Sequence, residues 1–278
     1  MNTLSFLDIF HPADFSKANE GAFAHALKIG LAAKAKLTIL HVEEPTTQVR
    51  WKKFPHVRKT LARWGILTEE ASLKEVEKLG LCVKKVERIG TDPGKEILNY
   101  VGEHAPGLIV LATHQRKGMS RWMHAALAEP IARQAHVMTL FVPRRQPGFV
   151  SSDNGSVHLQ NILIPVDKDP RPHGALAAAA TLASILGCER VHFAILYVGR
   201  EEAIPTLNFR PPPGWTIGSV AREGNVVDQI LAAREECNAD LIAMTTQGHK
   251  GFLDAVRGST TERVLREAKC PLLAIPAS

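Results

Sequence analysis

Residues 240–266 read DLIAMTTQGHKGFLDAVRGSTTERVLR. The apolar run at the start of this segment predicts a β-strand, the glycine-containing stretch predicts a loop, and GSTTERVLR predicts the start of a helix. A helix that begins in this way directs free backbone N–H groups and the positive end of its dipole toward the loop. The segment therefore predicts an α/β unit with a phosphate-compatible anion site beside the carboxyl end of a strand.

The same pattern occurs 133 residues earlier in the chain. Residues 97–143 align with residues 230–276 without a gap, and IFHPAD at 9–14 aligns with ILIPVD at 162–167. A tandem duplication explains this agreement better than coincidence. The predicted organisation is a first domain at 1–143, a linker at 144–160 that is rich in Arg, Pro, Gly, Ser and Asn, and a second domain at 161–278.

Each half alternates apolar runs with helical segments. The runs are nearly continuous rather than alternating, which indicates parallel strands covered on both faces. The predicted strands are 7–11, 37–42, 82–88, 108–111 and 138–142, and then 162–166, 190–198, 216–221, 241–244 and 272–275. We therefore predict two tandem five-stranded parallel sheets, whose ligands lie outside the carboxyl ends of the strands.

The last predicted strand of each half is apolar and lies at a sheet edge, where its backbone groups would be unpaired. We expect strands 138–142 and 272–275 to associate, so that the chain forms its own pseudo-dimer. A homodimer of the whole chain is a further expectation.

Composition favours a globular protein over a nucleic-acid-binding or membrane-spanning one. The net charge is +6, and 45% of the residues are hydrophobic, as in ordinary globular proteins. Basic residues do not alternate with aromatic residues over any long stretch, so nucleic-acid binding is not predicted. The longest small or apolar run, 174–188, is too short to span a bilayer, and no signal peptide is evident. Four widely separated cysteines favour free thiols, and we expect a cytoplasmic protein without membrane partners.

The sequence resembles the universal stress protein family in three features. These are a strand followed by Pro-x-Asp, a later strand followed by a glycine loop, and a helix that begins with Gly-Ser. The resemblance covers the whole chain as two copies and implies domains of the adenine nucleotide α-hydrolase-like, Rossmann-like class. In ATP-binding members, the loop holds the phosphates and ribose, and the Asp segment and the end of the second strand hold adenine. Other members bind no ATP, and the loop largely divides the two groups.

In the second half the resemblance implies an ATP site, with Mg²⁺ as a possible companion ion. Gly248 and, after nine intervening residues, Gly258-Ser259 match the loop motif, but Thr245 replaces its first glycine. A β-branched residue disfavours positive φ there, although its hydroxyl could instead contact a phosphate. The residues assigned to the nucleotide are Pro165, Val166, Asp167, Val198, Met244, Thr245, Gln247, Gly248, Gly258, Ser259 and Thr260.

In the first half the motif has changed at each diagnostic position. Asp14 is kept, but Ala112 and Gln115 replace the first two glycines, and Ala125-Ala126 replace Gly-Ser. Pro130 then implies a later helix start. The first half is therefore not expected to bind ATP in the family manner, and we expect Asp14 to accept backbone N–H groups of the following turn.

Each signal also has a structural interpretation. Ser259 and Glu262 have the spacing of a capping box, which needs no ligand. The basic cluster between His114 and His124 could hold an anion, but its spacing lacks a carboxylate and predicts no metal site.

No catalytic residue is predicted, and any ATP hydrolysis is expected to be slow. The leading hypothesis is a stress-response protein that uses ATP as a conformational ligand. The alternatives are a nucleotide-free interaction protein, with another ligand in its first half, and a hydrolase or transferase.

Overall fold

The computed structural model describes residues 6–16, 19–43, 55–113, 137–144, 146–168, 173–207, 209–246 and 260–277. The first half contains β1 (Asp8–Pro12), α1 (Glu20–Ala33), β2 (Lys36–Glu43), α2 (Val57–Arg63), α3 (Leu73–Lys78), β3 (Cys82–Ile89), α4 (Pro93–His104), β4 (Leu108–Thr113) and β5 (Met138–Pro143). The second half contains β6 (Asn161–Val166), α5 (His173–Ile185), β7 (Val191–Val198), β8 (Trp215–Arg222), α6 (Val226–Glu236), β9 (Leu241–Thr246), α7 (Thr260–Glu267) and β10 (Leu272–Pro276). The predicted α/β class and the ten predicted strands are confirmed, with small differences at the strand ends.

The ten strands form one continuous sheet in the order β3-β2-β1-β4-β5-β10-β9-β6-β7-β8. Within each half all neighbouring strands are parallel. In each half the first strand is central, the next two lie on one side of it, and the last two lie on the other. A topological switch point therefore lies between β1 and β4, and another between β6 and β9, at the carboxyl ends where ligands bind in such sheets.

The two halves are joined through their last strands. β5 and β10 pair antiparallel, with Leu140 opposite Leu273 and Phe141 opposite Leu272. All four side chains are buried. The predicted association of the last strands is therefore confirmed, and it merges the two five-stranded sheets into one.

Helices cover both faces of the sheet. α1, α2, α3 and α5 contribute to one hydrophobic core, and α4, α6 and α7 contribute to the other. Two of these helices begin at side-chain caps: Asp92 accepts the N–H of Lys95 at 3.2 Å before α4, and Asn225 accepts the N–H of Val227 at 3.0 Å before α6. Because both caps follow edge strands, they help direct the chain back across the sheet.

The segment that connects the halves is folded against the first half. Phe149 and Val150 are buried, and Phe149 packs edge-on against His25 with ring centroids 4.4 Å apart. Trp64 donates its indole N–H to the carbonyl of Ser152 at 3.1 Å. The composition of residues 144–160 had suggested only a connection, whereas these contacts make the segment part of the first core.

The halves differ in what covers their outer strands. In the first half α2 and α3 lie between β2 and β3. In the second half residues 199–214 contain only a 3-10 turn at Glu201–Ala203 among the residues that are described. The edge strands of both halves are nevertheless largely exposed: no residue of β3 is buried, and Trp215 is the buried residue of β8.

Candidate functional site

The carboxyl ends of three adjacent strands bring the predicted residues of the second half together. β6 ends at Val166 and is flanked by β9 on one side and β7 on the other. Asp167 therefore follows the central strand, Val198 ends β7, and Thr245 lies near the end of β9. The predicted residues that belong to or follow these three strands therefore lie at one edge of the sheet, at its switch point.

Asp167 is exposed at this edge. Its Oδ1 accepts the N–H of Lys168 at 2.6 Å, which fixes the carboxylate on the turn that follows β6. No ion pair to Asp167 is present among the residues that the structure describes. The carboxylate is therefore available to a hydrogen-bond donor on a ligand.

Thr245 has an unusual environment. Its hydroxyl is buried and has no hydrogen-bond partner in the described part of the chain. The hydroxyl lies 3.9 Å from the position that a Cβ would occupy on Gly174, in the first turn of α5. An unsatisfied buried hydroxyl costs about 1–3 kcal/mol. Thr245 thus differs from Thr246, whose hydroxyl donates to the carbonyl of Ile275 at 3.3 Å.

Most of the predicted glycine loop lies outside the part of the chain that the structure describes. Gln247, Gly248, Gly258 and Ser259 lie outside the described residues, as do Gln115 and the 114–136 segment of the first half. α7 begins at Thr260, and in its first turn Glu262 forms an ion pair with Arg266. The capping box predicted for Ser259 therefore stays a prediction.

The first half has the same strand arrangement but a different site. Asp14 follows β1, and its Oδ1 accepts the N–H of Ser16 at 3.0 Å and the hydroxyl of Ser16 at 2.7 Å. These contacts confirm the turn role expected for this residue. Its Oδ2 accepts from the guanidinium of Arg144 at 2.5 Å, and both side chains are largely buried.

This arrangement shifts the titration of Asp14. Burial by itself would raise the pKa of this carboxyl, but hydrogen bonds from Ser16 and the charge of Arg144 outweigh burial and hold the pKa below its usual value. The carboxylate is therefore neutralised from within the chain. Arg144 is an important residue that sequence reasoning missed, because it lies in the segment assigned as the linker.

The end of β2 in the first half is also filled from within the chain. The ring of Phe15 stacks on His41 with centroids 3.7 Å apart. His41 contacts the carbonyl of Ala13 through Nδ1 at 2.6 Å and the carboxylate of Glu43 through Nε2 at 3.0 Å. The register of β1 with β2 and of β6 with β7 makes Val42 the counterpart of Val198, so this cluster lies where the resemblance places adenine.

Two buried histidines lie behind this edge. His11 donates from Nδ1 to the carbonyl of Val110 at 2.9 Å, and His25 donates from Nδ1 to the carbonyl of Gly21 at 2.7 Å. Burial lowers the pKa of each ring to about 4, so both are neutral at physiological pH. The aligned residue for His11 in the second half is Ile164, so this polar feature belongs to the first half.

The described residues contain no group of three or more metal-binding side chains. The basic cluster between His114 and His124 lies outside them. No described helix is long and apolar enough to cross a membrane.

Comparison with known proteins identifies a family match in both halves. The Universal stress protein family matches residues 7–143 and 214–276, which together are well over half of the chain. No curated protein matches the sequence.

Solved structures agree with the fold. A universal stress protein from Archaeoglobus fulgidus DSM 4304 is 17% identical and superposes with a TM-score of 0.61, over 98% of this chain and 99% of that one. A protein of unknown function from Pseudomonas aeruginosa PAO1 is 13% identical, with a TM-score of 0.63 over 99% of this chain and 94% of that one. At these identities the similarity establishes the tandem fold alone.

Proposed function

The chain belongs to the universal stress protein family, and on this premise we propose that it acts in a stress response by binding ATP in its second half only. The observation that carries the proposal is the contrast between two aligned carboxylates. Asp167 is exposed and forms no ion pair among the described residues, whereas Asp14 is covered by Arg144. The site residues proposed are those that the resemblance assigns in the second half.

The geometry of the second half supports this assignment. Val166 and Asp167 lie at the end of the central strand, and Val198 lies beside them at the end of β7. A base between these strand ends would contact apolar side chains and one carboxylate that accepts hydrogen bonds. The predicted loop leads into α7, and N–H groups at the start of a helix suit phosphate oxygens.

Magnesium fits the proposal as a companion of the phosphates rather than as a resident metal. Mg²⁺ usually keeps several water ligands and binds through one or two carboxylates together with the phosphates. Asp167 is already assigned to the base, so phosphate oxygens and water would supply the ligands of Mg²⁺. We therefore propose that Mg²⁺ enters with ATP.

The first half supports the restriction to a single site. Arg144 neutralises the aligned carboxylate, and Phe15 stacked on His41 occupies the end of β2. An adenine ring entering here would have to displace both contacts. Ala112, which replaces the first loop glycine, is buried within β4.

The proposed role of ATP is that of a conformational ligand. No nucleophile paired with a base is found at the described part of the edge, so any hydrolysis would be slow. A ligand shifts an equilibrium only by its differential affinity for two states. In this proposal ATP contacts the predicted loop between β9 and α7 directly, and the differential affinity arises from those contacts.

Any homodimer of the whole chain must use a surface other than β5 and β10, because these strands are already paired with each other. We propose that a dimer, if formed, leaves this pairing intact. Light scattering coupled to gel filtration measures the mass directly, and a mass of one chain would remove the dimer from the proposal.

The test of the main proposal begins with the native protein. The protein is purified without denaturation, then unfolded, and the released small molecules are quantified by chromatography and mass spectrometry. We expect about one ATP per chain, and about two would contradict the restriction to the second half.

Binding is then measured by calorimetry with ATP and Mg²⁺ on Asp167→Ala, with Asp14→Ala as the matched control. We expect Asp167→Ala to weaken binding about tenfold, which is 1.4 kcal/mol, and the control to change it little. No released nucleotide, together with no measurable ATP binding by the wild type, would support a nucleotide-free interaction protein instead.

A further inference from the structure

A second candidate site lies in the first half, beside the segment that follows β1. A cavity of about 590 Å³ lies between the start of α1 and α2. This volume is within the range of small-molecule sites in proteins. The residues that line it include neither Asp14, nor Arg144, nor any residue of β4. The cavity therefore adjoins the position that aligns with the proposed ATP site, since Phe15 and Ser16 line it, but it does not include the carboxylate of that position.

One wall of the cavity is apolar. Phe23 and Ala24, on the first turns of α1, are buried, and Phe15 also lines the cavity. This wall belongs to the same hydrophobic core that α1 shares with the sheet. A ligand body placed against it would bury apolar surface, which favours binding.

The α2 part of the lining carries two cationic side chains. Lys59 and Arg63 are one helical turn apart on α2, so their side chains lie on the same face. Neither forms an ion pair with a described residue. Arg63 is held in place by donating from Nη2 to the carbonyl of Ser152 at 2.8 Å, which leaves its charge unneutralised.

Like charges at this spacing repel each other, so a bound anion would relieve a cost already present in the free protein. The only acidic side chain lining the described part of the cavity is Glu20, which forms no ion pair with either cation. The charge balance of the cavity therefore favours a negative ligand.

Asn19 adds a third feature. It is buried, lines the cavity, and its Nδ2 lies 3.4 Å from both His11 Nε2 and the carbonyl of Pro12. These acceptors orient the amide, and its Oδ1 has no hydrogen-bond partner in the described structure. A hydroxyl or amino group on a ligand would satisfy this oxygen.

We propose that this cavity binds a small amphipathic organic anion. Its apolar body would pack against Phe15 and Phe23, its acidic group would contact Lys59 and Arg63, and a donor group would reach Asn19. The first half would thus hold a ligand of its own, of a different chemical class from ATP.

The probe for this chemistry is 8-anilinonaphthalene-1-sulfonate, which combines an aromatic body with one negative charge. N-phenyl-1-naphthylamine has nearly the same body without the charge. We expect saturable fluorescence with one sulfonate probe per chain and weaker binding of the neutral probe. Equal affinities for the two probes would overturn the proposal, because the cationic wall would then contribute nothing.

The variant is Lys59→Glu, and its matched control is Lys74→Glu, which makes the same charge change at an exposed position on α3. We expect Lys59→Glu to weaken sulfonate binding about tenfold and the control to leave it unchanged. Equal losses in both variants would assign the probe to nonspecific electrostatics and overturn the proposal. Because Lys59 is exposed, Lys59→Glu should have the same urea midpoint of unfolding as the wild type. If the midpoint falls, the milder variant Lys59→Gln replaces it in the binding experiment.

Competition experiments distinguish this cavity from a nucleotide site and from a simple anion site. Saturating ATP with Mg²⁺ should leave the probe bound, and inorganic phosphate should not displace it. Displacement by ATP would place the probe in a nucleotide site, and displacement by phosphate would reduce the cavity to a simple anion site. Either result overturns the proposal, and neither depends on whether ATP binds in the second half.

Discussion

The two halves of this chain have the same strands in the same order, but they differ in the side chains at the carboxyl ends of those strands. The first half fills it with its own side chains: Arg144 on Asp14, and Phe15 on His41. The second half leaves Asp167 exposed and has Ala277 at the position that aligns with Arg144. Arg144 and Ala277 donate equivalent backbone N–H groups, to Thr113 and Thr246 respectively, so the difference lies in the side chain.

The contrast shows that two duplicated domains can differ at this edge while keeping the same fold. The parallel sheet and its helices depend on buried apolar side chains, which both halves retain. The ligand edge depends on a few polar positions that contribute little to the core. These positions can therefore change independently of the architecture.

The largest expected effect is the loss of unfolding free energy at low pH, which two histidines of the first half should cause. His11 and His25 are held neutral with a pKa of about 4, whereas an unfolded histidine titrates near 6.5. The unfolded state binds more protons between these values, so the stability from the neutral rings is complete above pH 6.5 and falls as pH drops toward 4. We expect a loss of about 2 kcal/mol per ring between pH 7 and pH 5, measured by urea unfolding.

The variant His25→Gln should remove about half of this pH dependence, because protonation of His25 Nε2 would place a proton against the N–H of Val150 that it now accepts at 3.2 Å. The control is His158→Gln, since the side chain of His158 is 71% exposed. A pH dependence that His25→Gln leaves unchanged would show that other groups cause it.

The next largest effect should come from removing the internal cation of the first half. Arg144→Met leaves the largely buried carboxylate of Asp14 without its partner and should cost roughly 3 kcal/mol of unfolding free energy. Adding Asp14→Asn should recover much of the loss, because the unpaired charge is then gone. A double variant no more stable than Arg144→Met would mean that the arginine acts through packing.

Adding an arginine to the second half should neutralise Asp167 in the way that Arg144 neutralises Asp14. Ala277→Arg places a guanidinium at the position that aligns with Arg144, and we expect it to pair with Asp167 and lower ATP affinity about tenfold. Ala277→Gln is the uncharged control and should have a smaller effect in calorimetry. Equal losses would indicate obstruction by size rather than by charge.

The smallest effect concerns two adjacent threonines of β9. Thr245→Val removes a buried hydroxyl without a described partner and should stabilise the protein by about 1 kcal/mol, whereas Thr246→Val removes a hydrogen bond and should destabilise it by about 1 kcal/mol. Thermal unfolding measures both. A loss of stability in Thr245→Val would mean that its hydroxyl is satisfied, and a parallel loss of ATP affinity would assign it to the ligand.

Much of the fold could be predicted because its signals are local. Continuous apolar runs located the strands, and the 133-residue repeat showed that they occur in two equivalent sets. The pairing of β5 with β10 could also be predicted, because an apolar edge strand needs a partner. The turn role of Asp14 followed from its position after a strand.

The parts of the site that escaped prediction depend on contacts between distant residues. Residues 144–160 were assigned as a linker from composition, yet Phe149 packs on His25 and Ser152 accepts from Trp64. Pro and Gly content reports backbone preferences and does not reveal what a segment packs against. The cavity beside α2 was missed for the same reason, since its walls come from separate helices.

The sequence by itself determined that this protein has two α/β halves, where their strands lie, and which half keeps the glycine loop, because each of these is encoded in contiguous residues. Only the tertiary structure decided which carboxylate is free to meet a ligand. Asp14 and Arg144 are 130 residues apart and interact because β1, β4 and β5 bring their ends together. A charge is neutralised by its neighbours in space, and those neighbours exist only after the sheet has formed.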